Sequence, residues 1–107
     1  MTIRPPEIHP EALEEADAAV LWYLERSHSA ALQFITALDD AISLIAETPD
    51  RWPTYAGGTR RYIMRKFPYF LVYRFTQDGV HVYAVAHAKR RPGYWKQRLA
   101  WRGSTAE

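Results

Sequence analysis

The sequence predicts an α+β fold in which an N-terminal antiparallel helical hairpin packs on one face of a small antiparallel β-sheet. Over the first half of the chain, apolar residues recur at intervals of three and four, as in helices that bury one side. Over the second half, aromatic and β-branched residues form short runs typical of strands. A chain of 107 residues has room for one hydrophobic core, so we expect residues 1–107 to form a single domain.

Two helices account for the first half. Pro10 suits the first turn of a helix, where no backbone N–H is needed, and acidic residues follow it there. The apolar stripe of this helix comprises Leu13, Ala16, Val20, Tyr23 and Leu24. Ser27-His28-Ser29 interrupts the pattern and offers an N-cap to a second helix, which ends before Pro49. The apolar face of the second helix comprises Ala31, Phe34, Ile35, Leu38, Ile42 and Ile45.

Three strands account for the second half, after a loop that runs from Pro49 to Thr59. They are Arg60–Lys66, Tyr69–Gln77 and Val80–His87. The segment from Ile3 to Ile8 is interrupted by prolines, and it is either an edge strand or an arm.

The Asp78-Gly79 pair predicts a two-residue hairpin between the last two strands, because a type I′ turn needs a positive φ at both positions. This turn would pair Tyr73 with Ala84 and direct an almost wholly apolar face toward the helices. The opposite face would stay uncovered as a candidate binding surface. Its polar and aromatic members include Arg74, Tyr83 and His87.

Charge is distributed unevenly along the chain. Residues 1–59 hold three basic and ten acidic side chains, whereas residues 60–107 hold eleven basic and two acidic ones. A half this basic indicates a polyanionic partner, such as nucleic acid or an acidic protein. The alternative is a solvated cationic surface without a partner.

Several functional classes are excluded at this stage. The chain has no cysteine, and therefore neither a disulfide framework nor a thiolate zinc site, which is compatible with a reducing cytoplasm. Its histidines lack a metal-ligand spacing, and no nucleotide- or cofactor-binding motif is present, so we expect no metal and no cofactor. Residues 1–10 do not read as a signal peptide, and no segment is expected to span a membrane.

The densest group of candidate functional residues lies between His87 and Arg98. Lys89, Arg90 and Arg91 can neutralise phosphates or bind carboxylates, and the neighbouring Tyr94 and Trp95 can stack on bases. The alternative is a turn whose aromatic rings pack on the edge of the sheet. The side chains that we expect to bind a partner are Arg61, Arg65, Arg74, Lys89, Arg90, Arg91, Trp95 and Arg98.

His87 ends the last predicted strand beside these cations. Nearby positive charge favours a neutral imidazole that can act as a base. The alternative is a histidine that only forms hydrogen bonds at the end of a strand.

Four stretches of the chain together resemble the RelE/ParE toxin superfamily. They are HPEALEEADAAVLWYL at 9–24, AETPDRWPTY at 46–55, RRYIMRKFPYFLVYRF at 60–75 and VHVYAVAHAKRRPGYWKQR at 80–98. The resemblance implies a sheet flanked by an N-terminal helical hairpin. It also implies a cytoplasmic toxin that a cognate antitoxin binds and neutralises in a hetero-oligomer.

The superfamily divides by mechanism. RelE-like members cut mRNA on the ribosome with basic residues and a C-terminal arginine and tyrosine, whereas ParE-like members inhibit DNA gyrase by binding. In a nuclease, the resemblance puts Arg90 on the C-terminal arginine, Tyr94 near the tyrosine and Arg61 near a basic position. The candidate catalytic residues would then be His87, as the base argued above, with Arg90 and Tyr94. Phe70, however, stands where the nucleases often have an arginine, which removes a cation that the reacting phosphate needs. The resemblance therefore favours the ParE-like branch, with the ribonuclease as the alternative.

Overall fold

The computed structural model describes residues 4–101 and confirms the α+β fold. Its two helices are α1 (Pro10–Leu24) and α2 (His28–Glu47). Its strands are β1 (Glu7–Ile8), β2 (Thr54–Tyr55), β3 (Thr59–Ile63), β4 (Tyr69–Thr76) and β5 (Gly79–His87). Two 3₁₀ turns complete the described chain, at Ala56–Gly58 and at Lys96–Ala100.

The five strands form one sheet in the order β1-β5-β4-β3-β2. Neighbouring strands are antiparallel except β1, which runs parallel to β5 and pairs Glu7 with His81 and Ile8 with Val82. The sheet is therefore mixed, whereas the sequence predicted an antiparallel sheet. The long connection between β1 and β5 permits a parallel pair, which a tight turn could not. Of the predicted segment from Ile3 to Ile8, residues 7–8 form this edge strand, and Ile3 lies outside the described residues.

Helix α1 begins where its sequence predicts, and it buries small side chains. His9 is the N-cap, and its Nδ1 accepts a hydrogen bond from the Glu11 backbone N–H at 3.0 Å. The buried residues of α1 are Ala12, Ala16 and Ala19, so the helix backbone lies close to the sheet. Leu13 and Leu24, which belong to the predicted apolar stripe, are 51% and 42% exposed.

Helix α2 also has the predicted ends. The Ser27 hydroxyl accepts a hydrogen bond from the Ala30 N–H, and Thr48 forms the C-cap before Pro49. By length and composition alone α2 could cross a membrane, contrary to the expectation that no segment of the chain could. Its Phe34 ring stacks on Tyr23 and meets Phe67 edge-on, so this side of the helix is part of the core.

The β4–β5 hairpin differs from the predicted register. Thr76 pairs with Gly79, so Gln77 and Asp78 form the turn. Only Gly79 has a positive φ there, at +115°, which spares Asp78 the left-handed conformation that a type I′ turn requires. Further along, the ladder passes from Tyr73–Val82 to Val72–Ala84, which leaves Tyr83 as the extra residue of a β-bulge.

The bulge reverses the faces of the second half of β5. Val80, Val82 and Val85 pack in the core beneath the helices. Ala84 and Ala86 instead face the other side, where they pack with Val72 and Trp95. That second face was predicted to be open, but the segment that follows β5 covers it, with Trp95 only 1% exposed. The sheet therefore lies between the helical hairpin and the C-terminal segment.

Replacing the capping histidine, His9, tests how the free energy of unfolding depends on pH. Burial, and next the charge of Arg98, lower the pKa of His9 from 6.5. The unfolded chain therefore binds this proton more readily, so the stability that His9 contributes is complete above the unfolded pKa and is lost as the pH falls below it. We expect His9→Asn, which retains a capping oxygen, to flatten the decline in unfolding free energy between about pH 7 and pH 5.

Urea unfolding across this pH range measures the effect. His28→Asn, at an exposed histidine, is the matched control and should keep the slope of the parent protein. Identical slopes for His9→Asn and the parent would contradict the assignment.

Candidate target-binding surface

A carboxylate of α1 is the centre of a buried polar network under the C-terminal segment. Glu15 Oε1 accepts a hydrogen bond from the Val85 backbone N–H at 3.0 Å. Its Oε2 accepts one from the Tyr94 hydroxyl and one from the Arg98 guanidinium, each at 2.8 Å. The side chains of Glu15 and Arg98 are 15% and 7% exposed. The network therefore connects α1, β5 and the C-terminal segment through charge-assisted hydrogen bonds.

The network forms where β5 has no neighbouring strand. Strand β1 pairs only with residues 81 and 82 of β5, and backbone groups beyond that point need other partners. Glu15 satisfies the N–H of Val85, while Arg98 donates to the Tyr83 carbonyl at 3.0 Å. Burial lowers the pKa of Arg98, but the hydrogen bond and charge of Glu15 outweigh it, so that the pKa is raised. Arg98 therefore remains a cation at neutral pH.

Tyr94 makes two contacts: its ring lies against the Arg90 guanidinium, and its hydroxyl donates a hydrogen bond to Glu15. Burial, and next the hydrogen bond to Glu15, raise the pKa of Tyr94 well above 10. The phenol therefore stays protonated at neutral pH and directs its proton to Glu15. The Arg90 guanidinium lies 3.8 Å from the centroid of the Tyr94 ring, a cation–π contact that orients this exposed arginine.

His87 takes part in the turn that follows β5. Its Nδ1 accepts a hydrogen bond from the Lys89 N–H at 3.1 Å, and its ring meets Tyr69 edge-on at 5.0 Å. With Nδ1 as an acceptor, only Nε2 remains for another partner. His87 and Arg90 line the same cleft of about 370 Å³, between α1 and the ends of β4 and β5.

Two other predicted cations lie on the sheet face opposite the helices. The Arg61 guanidinium is 4.3 Å from the Tyr55 ring centroid and 5.2 Å from that of Phe70. Arg74 donates a hydrogen bond to the Gly57 carbonyl at 2.6 Å. Val72 packs against Trp95 of the C-terminal segment. Arg61 pairs with Val72 across the sheet, and Arg74 is two residues from Val72 on β4. Both arginines therefore lie on the face that carries the C-terminal segment.

The remaining predicted binding residues are dispersed. Lys89 and Arg91 are exposed in the turn after β5, and Arg65 lines a groove beside α2. Trp95 and Arg98 are buried, which disagrees with their predicted place on an exposed binding surface. Trp95 instead packs on the sheet, as the alternative interpretation expects. Among residues 4–101 no group of three or more histidine, aspartate or glutamate side chains could hold a metal ion.

Glu15 is the residue that the sequence analysis missed, because the Glu14-Glu15 pair suggests a solvated helix face. Its burial becomes evident only once the structure shows which face of α1 is buried. Glu15 stands three residues after Ala12 and four before Ala19, which are both buried, and residues at these intervals share a helix face.

Comparisons with known proteins identify one family. Residues 7–92 match the family described as the ParE toxin of the type II toxin-antitoxin system, parDE. A comparison with curated proteins finds no match. The matched range includes both helices, the five strands and Arg90, and it ends before Tyr94 and Arg98.

Removing the central carboxylate tests the network. We expect Glu15→Ala to lower the free energy of unfolding by about 3 kcal/mol. The buried charge of Arg98 would keep only the more exposed Glu11 carboxylate, 3.3 Å from its Nε. Glu14→Ala, at the exposed neighbouring carboxylate, should lower it by less than about 0.5 kcal/mol. Urea unfolding at neutral pH measures both changes, and equal losses would show that the network contributes no special stability.

Proposed function

Because the chain belongs to the ParE toxin family of type II toxin-antitoxin systems, we propose that it arrests growth by binding DNA gyrase. A cognate antitoxin would neutralise it in a toxin–antitoxin hetero-oligomer. Gyrase acts in the cytoplasm, and the proposal places the chain there too.

One observation carries this choice of mechanism: the hydroxyl of Tyr94, the candidate general acid, already has an internal partner. A ribonuclease must move protons at the reacting ribose and at the leaving oxygen. The Tyr94 hydroxyl is bound to Glu15, and its raised pKa favours the neutral phenol. His87 Nδ1 accepts from the Lys89 N–H, so only Nε2 of this ring remains for a proton transfer. Neither contact excludes a binding function, because the exposed cations beside them remain accessible.

The cationic side chains can supply the electrostatic attraction by which an inhibitor that acts by binding holds its target. Lys89, Arg90 and Arg91 are exposed in one turn, and the half-buried Arg61 and Arg74 lie on the adjoining sheet face. Arginine forms paired hydrogen bonds with carboxylates and phosphates, and a gyrase–DNA complex presents both. An antitoxin with an acidic segment would compete for the same side chains.

The RelE-like ribonuclease is the second candidate, and one contact favours it. Phe70 stands where the nucleases often have an arginine, and the Arg61 guanidinium lies 5.2 Å from the Phe70 ring. A neighbouring strand could thus supply the cation that the substitution removes. This role would still leave the reaction without a free general acid at Tyr94.

Growth measurements test the toxin assignment. We expect expression of the chain alone to arrest growth, and co-expression of a small protein encoded beside it to restore growth. Plating efficiency after induction measures both effects, with soluble expression verified by fractionation. Normal growth of cells that contain the soluble, folded chain would contradict the proposal.

A titration against purified gyrase tests inhibition by binding. We expect His87→Gln to reach full inhibition of supercoiling once its concentration is raised, because no chemical step is lost. Replacing Arg90 and Arg91 together by alanine should raise the half-inhibitory concentration by about tenfold, whereas Arg51→Ala, at an exposed arginine of another loop, should leave it unchanged. Inhibition by His87→Gln that stays low at saturating concentration would show that His87 performs chemistry.

Two changes at Tyr94 separate its ring from its hydroxyl. We expect Tyr94→Phe, which keeps the ring under Arg90, to leave the half-inhibitory concentration within about twofold of the parent. Tyr94→Ala should weaken inhibition because Arg90 loses its support. If Tyr94 were a general acid, Tyr94→Phe would instead reduce the activity by about 100-fold. Circular dichroism of both variants controls for folding.

A further inference from the structure

Two backbone groups of β5 point into the cleft of about 370 Å³ that lies between α1 and the ends of β4 and β5. The Val85 N–H is bonded to Glu15 of α1, whereas the Ala88 N–H donates to the Pro68 carbonyl on the side of β4. In an antiparallel ladder, the N–H and the carbonyl of one residue point to the same side, and the direction repeats at every second residue. The Val85 carbonyl and the His87 N–H therefore point away from β4 and toward the cleft.

These two groups have no hydrogen-bond partner within residues 4–101. Val85 is only 3% exposed, and a backbone carbonyl buried to this degree nearly always has a partner. The strand edge thus offers a ligand one acceptor, at Val85, and one donor two residues further on, at His87.

Aromatic side chains form the walls of the cleft beside this strand edge. Trp22 and Tyr23 line it from α1, and Tyr69 lines it from β4. The Trp22 side chain is half exposed, and the Arg26 guanidinium lies 3.6 Å from its ring centroid. A planar ligand therefore stacks on the opposite face of the indole, the face that Arg26 does not cover.

The same cleft contains donors for an anion. The Arg90 guanidinium lies flat against the Tyr94 ring, so the N–H groups at its edge can form paired hydrogen bonds with a phosphate. His87 Nδ1 accepts from the Lys89 N–H, so the neutral ring carries its proton on Nε2, which is then a donor. Glu15, the carboxylate among the lining residues, already accepts three hydrogen bonds.

We propose that this cleft binds a purine nucleoside monophosphate. Adenine presents its N6–H donor beside the N1 acceptor, and guanine presents its N1–H donor beside the O6 acceptor, so the edge of either base meets the Val85 carbonyl and the His87 N–H. The two rings of the base stack on Trp22, and the phosphate binds Arg90 and His87 Nε2. The volume of the cleft lies within the range of about 300 to 1,000 Å³ that is typical of small-molecule sites.

The inference goes beyond the proposed gyrase inhibition and does not depend on it, because nucleotide binding is measured on the purified chain without a target. The cleft also lies apart from the cationic face of the sheet. Arg61 and Arg74 lie on the face opposite the helices, whereas α1 forms one wall of the cleft.

Ligands that each lack one part of the nucleotide test the site in NMR titrations of the full-length chain. We expect AMP and GMP to bind, and adenosine and ribose 5-phosphate each to bind at least about tenfold more weakly than AMP. N6,N6-dimethyl-AMP has no N6–H for the Val85 carbonyl and should also bind at least about tenfold more weakly. Hydrogen exchange of the His87 backbone amide should slow when AMP is bound.

Variants assign the two ends of the site. Arg90→Gln should weaken AMP by about tenfold and leave the affinity for adenosine unchanged. Arg91→Gln is the matched control, at the exposed neighbouring arginine outside the cleft, and should bind AMP like the parent. Trp22→Ala should weaken AMP and adenosine alike, by about tenfold, whereas Leu24→Ala, at an exposed leucine of α1 outside the cleft, should weaken neither. Circular dichroism of each variant controls for folding.

Any of four results would overturn the proposal. The first is no binding of AMP or GMP at millimolar concentrations. The second is equal affinity for AMP and ribose 5-phosphate, since the base would then contribute nothing. The third is a loss in Arg91→Gln as large as that in Arg90→Gln. The fourth is a single-stranded oligoadenylate that binds more than about tenfold more tightly than AMP, since a nucleic acid would then bind along the cationic turn.

Discussion

The carboxylate of Glu15 is the constraint on which the C-terminal half of the molecule depends. It accepts from a backbone N–H of β5, from the Tyr94 hydroxyl and from the Arg98 guanidinium. Arg98 is almost fully buried, and a guanidinium charge is tolerated in such a place only with a carboxylate partner. This pairing fixes the C-terminal segment over the sheet. It thereby also fixes the Tyr94 ring that lies against the Arg90 guanidinium.

Two backbone features allow the carboxylate to reach its partners. Small side chains at Ala12, Ala16 and Ala19 bring α1 close to β5. The β-bulge at Tyr83 directs Val85 toward the helices and turns Ala84 and Ala86 toward Trp95. Without the bulge, a strict two-residue alternation would put Val85 on the opposite face. The packing of Trp95 and the contact of α1 with β5 therefore have a common origin.

The sequence predicts the helices better than it predicts the sheet, for physical reasons. Helix ends depend on local chemistry. Ser27 caps the first turn of α2, and Pro49 disfavours a helical conformation at the residue before it. The register of β5 depends on a bulge that no local pattern of residues reveals. The bulge turns Ala84 and Ala86 toward Trp95, which covers the sheet face that was predicted to be open. The roles of Glu15 and Arg98 depend on a contact between residues 83 positions apart, which one sequence does not reveal.

The structure separates two kinds of surface that composition alone only hints at. Acidic and apolar side chains occupy the outer side of the helical hairpin. Exposed cations occupy the turn after β5, and half-buried arginines lie on the sheet face opposite the helices. A molecule with two such surfaces can engage two partners of different charge. This separation fits the proposed inhibition by binding, in which the cationic side chains would hold the target.

Parallel titration of the purified chain into two reactions tests this account most directly. One reaction contains gyrase with relaxed plasmid, and the other contains translating ribosomes with a defined mRNA that is read by primer extension. The account predicts that supercoiling stops while the mRNA stays intact at the same concentrations. Codon-positioned cuts in the mRNA, at concentrations that leave supercoiling unaffected, would contradict it.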